Sequence, residues 1–194
     1  MEFHKDLSAL GWEKVRKRQL LRLPIVDEWL KLIRLQPGDS VLDIGPGPGL
    51  FTLRYADEVG DAGKVTALEK SKEAAEYLLQ ELSRIHSKIE VFVGDAAETD
   101  LKQLGSFDVI MLTDILHHAD SPNQLLQNLK NTIPSSGTRI FISEFDPESN
   151  GEFGPPLEKR LSDTYLLDLL RIIGFTVIAS GKQSFEHYYI IAHI

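Results

Sequence analysis

The chain has 194 residues, no cysteine and a formal net charge of −8. That length suits one folded unit with a full core, the lack of cysteine excludes disulfides, thiolate metal ligands and a cysteine nucleophile, and the acidic balance argues against a partner held mainly through phosphates, so no nucleic acid is expected. No stretch approaches the roughly 18 consecutive apolar residues of a membrane span, and the start Met1-Glu2-Phe3-His4-Lys5-Asp6 lacks an apolar run behind a basic segment, so a cytoplasmic location is expected.

The charge is uneven. Residues 1–36 carry eight Lys/Arg against five Asp/Glu, leaving 13 against 24 in the remainder. From Leu7 to Leu35 apolar residues recur at helical spacing, and Pro24 separates two helices because proline suits a first helical turn and breaks an interior. The run Glu13-Lys14-Val15-Arg16-Lys17-Arg18 reads as a solvated helix face, with a second role open to it, drawing an acidic substrate toward a lid.

After Pro37-Gly38-Asp39 the pattern changes to short apolar runs alternating with helical stretches. Strands are expected at 40–44, 64–69, 89–93, 107–112 and 138–144, and helices at 49–59, 71–86, 121–133 and 157–173. Such alternation implies crossover units and a parallel sheet with helices on both faces. The end differs: Phe175–Ser180 and His187–Ala192 flank a turn that includes Gly181-Lys182-Gln183-Ser184, which predicts a hairpin and an antiparallel strand closing the sheet. Residues 145–156, with three prolines and two glycines, form a long loop of the kind that carries function. The chain thus reads as a single domain over 1–194, with a helical N-terminal cap at 1–36 and a Rossmann-like α/β core at 37–194.

The first strand, Val41-Leu42-Asp43-Ile44, runs into Gly45-Pro46-Gly47-Pro48-Gly49 and then a helix. Glycines there permit a tight turn and close approach of a ligand to the main chain. Pro46 and Pro48 have no N–H, so the loop is poor at cradling a pyrophosphate. Its spacing is GxGxG rather than the dinucleotide GxGxxG, and no Gly-Lys-Ser/Thr follows. A ligand without phosphate fits better. Carboxylates fall at three successive strand ends: Asp43, Glu69 (with Lys70 beside it) and Asp95 in Gly94-Asp95-Ala96. Ligands of open α/β sheets lie across these ends. Glu69 can accept both hydroxyls of a ribose and Asp95 an adenine amino group; singly, each also reads as a capping or loop-initiating carboxylate.

On these residues the chain resembles the class I S-adenosylmethionine (SAM)-dependent methyltransferases, in particular small-molecule enzymes related to the ubiquinone/menaquinone C-methyltransferases. The resemblance runs from about Pro37 to Phe175 through VLDIGPGPG, Glu69, GDAAE at 94–98, FDVIMLTDILHHAD at 107–120 and GTRIFISEF at 137–145. It implies a seven-stranded, mostly parallel sheet with a reversed last strand and an N-terminal helical lid, and SAM as cofactor with S-adenosylhomocysteine (SAH) as product. It implies further that Gly45 and Gly47 approach the methionine part, Glu69 the ribose, Asp95 and Ala96 the adenine, and the Thr113 carbonyl the amino group. Asp43, Pro46, Gly49 and Lys70 complete the expected cofactor set. Pro134-Ser135-Ser136-Gly137 departs from the usual Lys-Pro-Gly-Gly turn, a change expected to be structural. Met111-Leu112-Thr113-Asp114 lacks the Asn/Asp-Pro-Pro-aromatic signature of enzymes that methylate nucleobase amino groups, so a small-molecule acceptor is expected.

Displacement at a sulfonium depends mainly on positioning, and a general base is optional. The candidates for one are His117, His118, Asp114 and Glu144, near strand ends that face the cofactor; the His pair also has a purely structural reading. No metal site is expected, since neither His-x-His nor His-Glu-x-x-His occurs. Residues 1–23 and 145–160 are expected to set substrate specificity. The competing readings are a non-catalytic SAM-binding protein and an NAD(P)-dependent reductase; the latter also lacks a Tyr-x-x-x-Lys pair.

Overall fold

The structure, a computed structural model of the chain, describes residues 7–83, 89–133 and 137–194. Among the described residues seven strands form one sheet: β1 (Ser40–Ile44), β2 (Lys64–Glu69), β3 (Ile89–Val93), β4 (Val109–Thr113), β5 (Arg139–Phe145), β6 (Thr176–Gln183) and β7 (His187–His193), in the order β3-β2-β1-β4-β5-β7-β6. The first five are parallel, while β7 runs antiparallel to both β5 and β6. The helices are α1 (Trp12–Arg22), α2 (Pro24–Ile33), α3 (Leu50–Val59), α4 (Lys72–Leu82), α5 (Pro122–Thr132) and α6 (Asp163–Ile173).

Side chains of a strand alternate between faces, and each central strand accordingly feeds two cores. Leu42, Ile110, Leu112, Ile140 and Ile142 pack with Leu125, Leu129, Leu166 and Leu170 of α5 and α6. Val41, Val109, Met111 and Phe141 pack on the other face with Trp29 of α2, Phe51 and Tyr55 of α3 and Leu78 of α4. Trp29 is fully buried, edge-on to Phe51 at 5.1 Å between centroids. Arg139 fixes α2 to the sheet by donating to the carbonyls of Ile33 (2.7 Å) and Arg34 (3.0 Å) and to Asp39 (2.8 Å), which satisfies carbonyls that a helix C-terminus leaves open.

Three boundaries differ from the expectation. The final hairpin is longer and turns later: Gly181, Lys182 and Gln183 still pair with Tyr189, Tyr188 and His187. The turn is made by Ser184–Glu186, with Phe185 and Glu186 left-handed (φ 53° and 60°). β7 also does not end the sheet, because it inserts between β5 and β6 and leaves β6 at the edge. The last helix starts at Asp163 rather than 157, where the Ser162 hydroxyl accepts the Tyr165 N–H at 3.1 Å; Leu157–Lys159 is one separate 3₁₀ turn. Positions 84–86 of the helix expected at 71–86, residues 1–6 of the cap and residues 134–136 of the Pro-Ser-Ser-Gly turn lie outside the described residues. No described helix is long and apolar enough to cross a membrane.

Candidate active site

The strand order reverses between β1 and β4, the switch point at which open α/β sheets bind ligands. There the glycine loop leaves β1. Gly45, Gly47 and Gly49 are all left-handed, at φ 71°, 56° and 81°. A Cβ on Gly45 would stand 2.4 Å from Ile115 Cδ1, and one on Gly49 2.2 Å from Leu78 Cδ1, so the backbone angle favours glycine and a side chain at either position would have to push its neighbour aside.

Every N–H of the loop is engaged within the protein. Gly45 donates to Leu68 O (2.9 Å), Gly47 to Glu69 Oε2 (2.9 Å), Gly49 to Pro46 O (3.1 Å) and Leu50 to Gln19 Oε1 (3.1 Å); Pro46 and Pro48 have none. Gln19 also donates to Pro46 O at 3.1 Å, so this α1 side chain ties the lid to the loop and caps α3.

Behind the loop Asp43 is buried and accepts the Thr52 hydroxyl at 2.6 Å. Burial raises its pKa from 3.8 to about 7, against the Thr52 bond and with the Glu69 charge. A raised folded pKa contributes stability that is complete below the unfolded value and is lost as pH rises through the folded one. Asp43→Asn should remove this dependence: the advantage of wild type over the variant in urea unfolding should shrink by about 2–3 kcal/mol between pH 5 and pH 8. An unchanged difference across that range would contradict the assignment.

Glu69 ends β2 almost fully buried, holding the Ser71 N–H (2.8 Å) as well as that of Gly47. Burial raises its pKa and these N–H bonds oppose the rise. After β3, Asp95 accepts the Ala97 N–H (2.9 Å) and pairs with Lys70 Nζ (2.7 Å), which reaches Asp120 as well (3.1 Å). Asn128 of α5 fixes this turn by donating to Ala96 O (2.9 Å) and Thr99 O (2.7 Å). Thr113, at the end of β4, lies 3.3 Å from the Tyr55 hydroxyl.

Beyond Thr113 the chain enters a buried polar cluster. Asp114 is left-handed (φ 57°), a backbone state that aspartate tolerates better than most residues. Its carboxylate takes Arg22 Nη2 at 2.7 Å and His187 Nε2 at 2.8 Å, while His187 Nδ1 faces Phe185 O at 2.7 Å. Both His187 nitrogens therefore face oxygen atoms. Burial works to raise the Asp114 pKa, but Arg22 and then His187 hold it well below the ordinary carboxylate range. Glu144, fully buried on β5, accepts the backbone N–H groups of Leu116 (2.6 Å) and His117 (3.3 Å) and faces His117 Nδ1 at 2.6 Å. Burial lowers the His117 pKa, yet the Glu144 charge and hydrogen bond carry it above the usual histidine value. His118 lies 4.2 Å from His117, ring to ring.

A lid closes this end. Arg160 donates to the carbonyls of Pro155 (2.9 Å), Asp146 (2.8 Å) and Phe153 and pairs with Glu186 (3.0 Å). Glu186 also accepts the N–H groups of Glu152 and Phe153. Burial raises its pKa, but these donors bring it down to about 2. The segment lies on Phe145 so closely that a Cβ at Gly154 would stand 2.4 Å from the ring.

The resulting cavity measures about 850 Å³. Among the residues expected for the cofactor, Gly45, Gly47, Glu69, Lys70, Asp95, Ala96 and Thr113 line it, whereas Asp43, Pro46 and Gly49 stand behind its wall. Of the expected base candidates, Asp114, His117 and His118 line it and Glu144 supports His117 from behind. Sequence reasoning did not single out Gln19, Arg22, Phe145 or Phe153, which line the cavity, nor His187 and Arg160 behind it. A readable trace existed: Gln19 and Arg22 continue the helical face begun by Trp12 and Val15.

A family model described as a methyltransferase domain matches residues 41–137, half of the chain. The chain is 26% identical over 186 residues to the demethylmenaquinone methyltransferase of Listeria monocytogenes, covering 93% of this chain and 75% of that protein. It is 36% identical over 85 residues to the ribosomal RNA small subunit methyltransferase A of Pelotomaculum thermopropionicum, covering 44% of this chain and 28% of the relative. It spans between 29 and 48% of the length of four further curated relatives. Its fold matches the crystal structure of a SAM-dependent methyltransferase from Aquifex aeolicus at a TM-score of 0.84 and 22% identity, over 100% of both chains. The chain therefore belongs to the methyltransferase-domain family, within the class I SAM-dependent methyltransferases related to the quinone methyltransferases.

Proposed function

We propose that this chain transfers the methyl group of SAM to a small-molecule acceptor seated between α1 and residues 152–155. The cofactor assignment rests above all on the glycine loop, whose N–H groups from Gly45 to Leu50 are all engaged internally. A pyrophosphate would find no donor there, whereas a nucleoside with a sulfonium needs only close approach and nearby acceptors. Glu69 would hold the ribose hydroxyls, Asp95 and the Ala96 turn the adenine, Gly45 and Gly47 the methionine chain, and the Thr113 carbonyl its amino group, with Lys70 at the rim. A cavity of about 850 Å³, the net charge of −8 and the Listeria relative favour a small molecule.

The chemistry supplied by bound SAM is a methyl group already activated on sulfonium for in-line displacement. What remains for the protein is orientation, exclusion of water by α1 and residues 152–155, and removal of a proton. Glu144 holds Nδ1 of His117, which orients the ring in the cavity wall as the base for an acceptor hydroxyl or acidic carbon.

The test has two stages. SAM and SAH should raise the melting temperature and NAD should not; a shift with NAD alone would overturn the reading. Methyl-labelled SAM, incubated with a small-molecule extract, should then yield a labelled low-molecular-weight product. Binding of SAH with no labelled product from any extract would favour a non-catalytic SAM-binding protein. With the acceptor in hand, His117→Gln should lower kcat about 100-fold and remove the acid limb of the pH profile while SAM affinity holds; a loss in SAM affinity with kcat preserved would leave His117 a structural part.

A further inference from the structure

The basic run of α1 divides three ways. Lys17 pairs with Glu13 at 3.0 Å on the outer face, and Arg16 with Glu81 of α4 at 3.4 Å. Arg18 instead lines the cavity, half-buried, and among the described residues it makes no hydrogen bond or ion pair. One turn later Arg22 lines the same wall. Its Nη2 is held by Asp114, but its Nε is buried with no partner. Two guanidinium groups at i and i+4 repel each other, and burial, then Arg22, weakens the hold of Arg18 on its proton. A cation so placed lacks its counter-charge. Glu152, the acidic side chain on the facing segment, lines the cavity without pairing with it.

The contacts of Arg22 indicate which end of the cavity the C-terminal turn of α1 serves. Trp12 and Gln19 meet the glycine loop at Gly47 and Pro46. Arg22 lies past Thr113, bonded to Asp114 and 5.1 Å over the Phe145 ring, beside the lid segment rather than the loop.

We infer that Arg18, with Arg22 beside it, is the receptor for a carboxylate carried by the methyl acceptor, and so selects anionic over neutral acceptors. This rests on the small-molecule methyltransferase reading. A guanidinium facing a half-desolvated wall suits a carboxylate geometrically, since its fork of N–H donors matches two oxygens. The methionine carboxylate of SAM is the other carboxylate that can enter the cavity, and binding measurements separate the two.

The full chain, saturated with SAH, is titrated with benzoate against benzamide and cinnamate against cinnamamide, with binding followed by ligand-observed NMR. Each acid should bind about tenfold tighter than its amide, with the margin falling as salt rises. Arg18→Gln should erase the preference while the Kd for SAH stays within about twofold; Arg18→Lys should keep part of it, and Glu152→Gln should keep or enlarge it. Equal binding of acid and amide by wild type, a preference that survives in Arg18→Gln, or a roughly tenfold loss of SAH affinity in that variant would each overturn the inference, the last by placing Arg18 at the cofactor. Failure of wild type to bind SAH would instead overturn the methyltransferase reading on which the inference stands.

Discussion

Glu69→Ala should raise the Kd for SAM and SAH by at least about 100-fold, since two ribose hydroxyls would lose a charged acceptor whose hydrogen bonds contribute roughly 1.5–3 kcal/mol each. The effect has a second source in the protein itself. One carboxylate oxygen of Glu69 receives the Gly47 N–H and the other that of Ser71, so alanine also frees the centre of the glycine loop and the turn into α4. Glu69→Gln separates the two contributions: its carbonyl still accepts one N–H while the charge is gone, and the loss should fall to about tenfold. Calorimetry with SAH measures both variants, and circular dichroism checks that the sheet persists. An SAH affinity for Glu69→Ala within threefold of wild type, on an intact fold, would contradict the role given to this residue.

The glycine loop and the carboxylates beside it were legible because backbone signals place them. Glycine adopts positive φ without strain, so three glycines between a strand run and a helix mark a tight turn in one sequence. Glu69 and Asp95 follow from the position of strand ends, and strand ends follow from apolar runs. The two core faces were equally accessible, since alternation along β4 and β5 sends each residue to a fixed side. The far end of the cavity was much less legible. Arg22 meets Asp114 across 92 positions and His187 meets Asp114 across 73, distances over which no local pattern operates. Residues 157–162 were read as helix because their composition allows one, whereas Arg160 is extended and gathers three carbonyls and Glu186 instead; tertiary hydrogen bonds outweighed local propensity there.

Tied in this way, the lid is unlike a hinged flap. Its two halves reach the sheet through separate ion pairs, α1 through Arg22 to Asp114 and residues 146–160 through Arg160 to Glu186, and both pairs close on the hairpin that leads into β7. The reversed strand thereby delivers His187 and Glu186 to the site from the opposite direction to the parallel strands. A change in the lid that altered acceptor choice would leave the glycine loop in place, provided that Gln19 is kept.

Asp114→Asn should cost about 3 kcal/mol, because a buried Arg22 and a His187 with acceptors on both nitrogens would lose the charge they share, and breaking one partner of a buried pair typically costs roughly 3–5 kcal/mol. Asparagine tolerates the left-handed backbone, so this variant isolates the charge; Asp114→Ala should cost about 1 kcal/mol more for the strain that alanine meets at φ 57°. The pH dependence follows from the sign of the shift. A carboxylate whose folded pKa is depressed contributes stability that is complete above its unfolded value and is lost as pH falls through the lower folded one. The gap between wild type and Asp114→Asn should therefore be flat near neutrality and narrow below about pH 4. Urea unfolding at pH 7 and pH 3 gives the energies, and hydrogen exchange across residues 12–22 reports whether α1 comes loose. A cost below about 1 kcal/mol, with exchange across α1 unchanged, would mean that the lid is held by apolar packing and Gln19 rather than by this ion pair.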